Sequence, residues 1–119
     1  MFIIGKVKSD NKRGRQLGFA TANLNLHKNI ASGVYASVVK VNNKKYSSVT
    51  FIGRPESFFD NNKRVETHIF NFSRNIYNQY ISVKLLKKIR SAKKFNNKQA
   101  FTQQINKDIK IVKKCFPEL

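Results

Sequence analysis

Apolar residues recur in this chain with two periods, one of two along most of its length and one of three to four near its end. Ile81, Val83 and Leu85 alternate with Ser82, Lys84 and Leu86, which predicts a strand over 81–89 with the first three side chains inward. Shorter apolar runs over 2–8, 33–41, 46–52 and 65–72 predict four more strands. Asn42-Asn43 is the turn of a hairpin between the second and third of these runs, and Asn61-Asn62 and residues 75–78 mark loops. From Lys98 the period changes: Phe101, Ile105, Ile109, Val112 and Phe116 lie on one helical face. Asn96 or Asn97 is the expected N-cap, and Pro117 ends the helix. Several short antiparallel strands followed by one helix predict a small closed barrel with the helix packed against it.

A length of 119 residues supports one hydrophobic core, so a single domain over 1–119 is expected. Hydrophobic content of 40%, with ten phenylalanines, argues for a packed globule and against disorder. No apolar run is long enough to cross a bilayer, and the opening MFIIGKVK lacks the features of a secretory signal. One cysteine, Cys115, excludes an internal disulfide, and two histidines, His27 and His68, are too few for a structural zinc site. A reducing, cytoplasmic setting fits these counts best, and a monomer is expected.

Charge complicates that picture. Twenty-four Lys and Arg against six Asp and Glu give a net charge of +18, the usual footprint of a nucleic-acid binder. The lysines are scattered in short pairs, however, and 14 asparagines accompany them, a bias that compositional drift over the whole surface explains. No glycine-flanked aromatic signature of an RNA-binding strand is present. Nucleic acid, RNA in particular, therefore remains the second candidate partner.

The segment Gly14 to Leu24, GRQLGFATANL, carries the chemistry. Gly14 and Gly18 let the main chain approach a ligand, Arg15 adds a cation beside them, and Thr21 and Asn23 offer two neutral oxygens suited to a hard cation. Taken alone, Asn23 reads first as an Asx-type turn residue. The chain has no G-x-x-x-x-G-K-[ST] loop and no G-x-G-x-x-G, so neither a P-loop nor a dinucleotide fold supplies a phosphate grip. Carboxylates are scarce, and Glu66 alone stands at the start of a predicted strand; on spacing alone it is a surface residue beside one of many lysines. Asp108, between Lys107 and Lys110, reads as a solvated helix residue, and His68 as a packed or solvent-facing strand residue.

This segment resembles the G-R-x-L-G-F-P-T-A-N-L signature of riboflavin kinases, with Ala20 in place of the proline. Further matches follow in the family's order: Gly5 and Val7, GVYA at 33–36, FIGRPESF at 51–58, ETHIFNF at 66–72, Tyr77, Ile89-Arg90, Phe95 and residues 104–108. Ser57, Asn71 and Asn78 depart from the family's threonine, aspartate and glycine. The resemblance implies a mainly β fold, a closed, Greek-key-like antiparallel barrel of six strands with a C-terminal α-helix packed on it. It also implies transfer of the ATP γ-phosphate to riboflavin, giving FMN, with Mg2+ as the cation. Carried over residue by residue, it makes Glu66 the general base and Thr21 and Asn23 the metal ligands. The nucleotide would lie on Gly14, Arg15, Gly18, Thr21 and Asn23, and the flavin on Arg90 and Phe95. Bacterial members usually join this domain to a second one that adenylylates FMN.

Overall fold

Asn42 and Asn43 reverse the chain with φ of 50° and 67°, the left-handed geometry that asparagine tolerates best after glycine and that suits a two-residue hairpin turn. They join β3 (Gly33–Val41) to β4 (Lys44–Gly53), paired from Val41↔Lys44 to Gly33↔Ile52. The computed structural model describes residues 2–8, 20–26, 29–53, 64–72, 76–91 and 97–115. Its other strands are β1 (Phe2–Lys6), β2 (Ala20–Asn25), β5 (Arg64–Ile69) and β6 (Tyr80–Arg90), and α1 (Lys98–Lys114) follows them.

The six strands form one antiparallel sheet in the order β1-β6-β3-β4-β5-β2. Within it, β3, β4 and β5 follow one another as neighbours and β6 returns beside β3, which is a Greek key. The sheet curls until its edges meet: the Lys8 amide donates to the Asn23 carbonyl at 2.9 Å, nearly closing the barrel between the ends of β1 and β2. The expected barrel and its helix are thus present. One strand was not named by the apolar pattern, because β2 lies in the segment read as a turn. Its alternation is nonetheless there, with Ala22 and Leu24 fully buried toward the interior.

Inside the barrel, Ile3, Leu24, Val39, Val65, Ile69 and Val83 pack together, each contributing about 1.5–3 kcal/mol of burial. Ile81 and Val83 point inward, as the alternation of β6 predicts, while Leu86 is exposed. Four hydroxyls share this interior, and they satisfy one another: Ser37 bonds Ser48 (2.6 Å) and Thr50 (2.7 Å), and Thr50 bonds Thr67 (3.0 Å). Paired in this way, buried hydroxyls avoid the cost of lost hydration.

Helix α1 docks on the outside. Asn97 is its N-cap, with Oδ1 accepting from the Ala100 amide at 2.8 Å. Val112 and Ile109 pack onto Val34, Ala36, Val49 and Phe70, while Ile105 is buried. Asp108 corrects the sequence reading. It is fully buried, because the helical turn that aims Ile105 and Val112 at the barrel also carries this carboxylate inward to Arg90 at the end of β6. Gly33 is needed at the start of β3, where φ is 157° and an added Cβ would lie 2.7 Å from the Arg90 carbonyl oxygen. Asn71 and Asn78, at two of the family departures, hold left-handed turns with φ of 55° and 67°. Among the described residues no helix is long and apolar enough to cross a membrane.

Candidate active site

Strand β5 turns Val65, Thr67 and Ile69 inward, so Glu66 and His68 share its outer face. Its neighbours decide what surrounds them. On one side Asn23 pairs with Glu66 and Thr21 with His68; on the other Phe51 pairs with Glu66 and Val49 with His68. Residues directly opposite on antiparallel strands have Cβ atoms about 5 Å apart. The register therefore sets the Glu66 position beside that of Asn23, and the Thr21 position one step along the same face. Thr21 is described by its backbone alone.

Burial grades across this face. Glu66 keeps 29% of its side chain exposed, whereas His68 keeps 1%. The His68 ring meets the Phe51 ring edge-on, with centroids 5.0 Å apart and planes at 90°. His68 Nε2 lies 3.4 Å from Glu66 Oε1. The nearby carboxylate favours imidazolium, but burial dominates and pushes the histidine down from 6.5 to about 3, leaving it neutral near pH 7.

That depression has a consequence for stability. The unfolded chain takes up a proton at this histidine near pH 6.5 and the folded one only near pH 3, so the contribution is complete above pH 6.5. As the pH falls through this window, stability is expected to drop by up to about 1.4 kcal/mol per pH unit. Urea titrations at pH 7 and pH 5 should show the drop in the wild type and a shallower one in His68→Gln. Equal slopes in the two proteins would mean that His68 titrates normally in the fold.

Arg90 reaches α1 rather than open solvent. Its Nε and one terminal nitrogen donate to the two Asp108 oxygens at 2.9 and 2.8 Å, and its other terminal nitrogen donates to the Ser91 carbonyl at 3.0 Å. Gln104 adds a third donor to Asp108 at 3.0 Å. Sequence reasoning missed this carboxylate; its one local trace is the Gln104-Asp108 spacing of four on a helix. Gly14, Arg15, Gly18 and Phe95 lie outside the described residues. A cavity of about 270 Å³ opens between residues 29–31, Tyr35 and residues 85–88, and none of its lining residues belongs to the β2–β5 pair.

Such a face can do two things at once: present a neutral amide oxygen and a partly exposed carboxylate on neighbouring strands, and back them with the buried His68 ring and the partly buried Phe51 ring. Comparison with known proteins bears on the family. The sequence profile of riboflavin kinases, the flavokinase family, matches residues 1–116. A bifunctional riboflavin kinase/FMN adenylyltransferase of Buchnera aphidicola subsp. Schizaphis graminum is 46% identical over 96% of this chain, which spans 38% of that protein's length. An RNA-binding riboflavin kinase, RibR, of Bacillus subtilis is 37% identical over 96% of this chain and 50% of its own. In fold, the crystal structure of riboflavin kinase from Trypanosoma brucei matches with a TM-score of 0.66 at 22% identity, over 98% of this chain and 80% of that one. With its six-stranded barrel, its single docked helix and a match across nearly its whole length, this chain belongs to the riboflavin kinase family.

Proposed function

We propose that this chain transfers the γ-phosphate of ATP to the 5′-hydroxyl of the ribityl chain of riboflavin, giving FMN and ADP. The observation that carries the reading is the β2–β5 register, which sets Glu66 across from Asn23 and His68 across from Thr21. In the reaction the ribityl oxygen attacks the γ-phosphorus as the bond to the β,γ-bridging oxygen breaks. The hydroxyl proton passes to Glu66, whose carboxylate is partly exposed on this face. Phosphoryl transfer depends mainly on placing the reactants and offsetting charge, and the barrel does the placing. Asn23 and Thr21 would hold a divalent cation, Mg2+ by the hardness of their oxygens. Bound there, the cation supplies charge neutralisation for the triphosphate. Two neutral ligands would bind such an ion weakly, so its binding would depend on oxygens supplied by the nucleotide. Gly14, Arg15 and Gly18 are assigned to the phosphates, and Arg90, braced by Asp108, to the flavin end with Phe95.

A second reading rests on a different surface. On the outer face of β1, β6 and β3, the exposed Phe2, Ile4 and Tyr80 stand among Lys6, Lys40 and Lys84, and the Lys84 ammonium lies 5.7 Å from the centre of the Phe2 ring. Rings interleaved with cations suit single-stranded RNA, and one relative is named as RNA-binding. One purified sample tests both readings. Riboflavin with ATP and MgCl2 should yield FMN and ADP in equal amounts, and RNA affinity should be weak at 0.15 M salt. No FMN, together with RNA binding that falls with a log–log salt slope of about −2 for three lysine contacts, would replace the first reading by the second.

A further inference from the structure

Among the groups on the β4–β5–β2 face, His68 has no task in the transfer as written, yet it is the most deeply buried of the polar side chains described there. Burying an imidazole is costly unless its polar atoms are hydrogen-bonded. Three observations give the ring a direction. It shares the strand face of Glu66 two residues away, its Nε2 is the atom turned to Glu66 Oε1 at 3.4 Å, and Phe51 fixes the ring from β4 by an edge-on contact. Beyond it, β2 sets Thr21 opposite His68 and Asn23 opposite Glu66, so the imidazole flanks the carboxylate on the strand that faces the cation ligands.

We propose that His68 is a positioning residue: its Nε2–H donates to Glu66 and holds the carboxylate toward the Asn23 side of the face, where the hydroxyl proton must be received. This rests on Glu66 being the general base. At 3.4 Å the two atoms are in charge contact rather than hydrogen-bonded, and the bond forms as MgATP and riboflavin draw the carboxylate into line. The histidine gives up no proton during turnover. It acts through Glu66, removing rotamers in which the carboxylate swings to solvent.

Two substitutions separate positioning from packing. Gln places an amide N–H near the position of Nε2, whereas Met fills similar space with no donor. Steady-state kinetics on both variants, with melting temperatures measured alongside, should show His68→Gln within about 3-fold of wild type in kcat. His68→Met should lose about 10–100-fold in kcat, the usual cost of losing an orienting partner, with KM for riboflavin and for ATP within about 2-fold. A packing role predicts the reverse order, since Met suits an apolar site better than Gln; that order, or equal activity in both, overturns the proposal. Glu66→Gln serves as the control. If Glu66→Gln is inactive while His68→Met is fully active, only the positioning role fails. If Glu66→Gln turns over normally, the base assignment fails and the role of His68 falls with it.

Discussion

Arg90→Met is expected to destabilise the protein by about 3–5 kcal/mol, read as a lower urea midpoint at unchanged m-value. The size of the effect follows from what the substitution leaves behind. Asp108 is fully buried, and its two oxygens receive a paired donation from Arg90 at 2.9 and 2.8 Å. Without the guanidinium, the carboxylate keeps Gln104 as its described donor and its buried charge loses the paired cation. Asp108→Asn should cost less than Arg90→Met, because the Arg90 side chain retains 20% exposure and can turn to water. The double variant Arg90→Met/Asp108→Leu should recover part of the loss, as replacing both members of a buried pair by apolar side chains often does. An Arg90→Met protein within 1 kcal/mol of wild type would show that the pair does not pin α1 to the barrel.

That pair marks the limit of what could be read from the sequence. Local signals were legible wherever a short window contains the cause. Asn42-Asn43 announced the hairpin, the alternation from Ile81 to Leu85 announced the inward face of β6, and the spacing of Ile105, Ile109 and Val112 announced the docked face of α1. The bounds drifted by at most three residues, and those of β3 not at all; β5 ends at Ile69 because Phe70 and Asn71 turn the chain, Asn71 with φ of 55°. Strand β2 was masked by its own motif, since glycines and short polar residues read as a turn although Ala22 and Leu24 keep a strand's period. Asp108 failed for a different reason. Its sequence neighbours are lysines, and only the tertiary fold brings Arg90 to it. The hydroxyls of Ser37, Ser48, Thr50 and Thr67 likewise gain meaning only once β3, β4 and β5 are side by side.

The candidate site was legible as a set of residues but not as an arrangement. Motif resemblance named Thr21, Asn23 and Glu66 separately; the pairing of β2 with β5 is what makes them one place. It also gave His68 a neighbour that spacing alone left open, since a strand histidine can equally face solvent.

Glu66→Gln carries the largest effect expected on turnover. The substitution keeps side-chain length and hydrogen-bonding oxygen while removing the ability to accept a proton, so kcat for FMN formation should fall by about 10²–10⁴, the span of general-base contributions. Riboflavin and MgATP affinities should stay within about 3-fold, because the assigned phosphate and cation groups, Asn23 and Thr21 among them, are untouched. Loss of fold does not account for such a drop: Glu66 is partly exposed on β5, while the barrel interior at that strand is formed by Val65, Thr67 and Ile69. The melting temperature should accordingly move by only a few degrees. In a loose phosphoryl-transfer transition state the attacking oxygen keeps much of its proton until late, which pulls the expected loss toward the lower end of that span. Direct measurement of product under saturating riboflavin and MgATP decides the matter. A kcat within ten-fold of wild type would transfer the proton to another acceptor, water or the phosphate itself, and leave Glu66 as a residue that merely borders the cation.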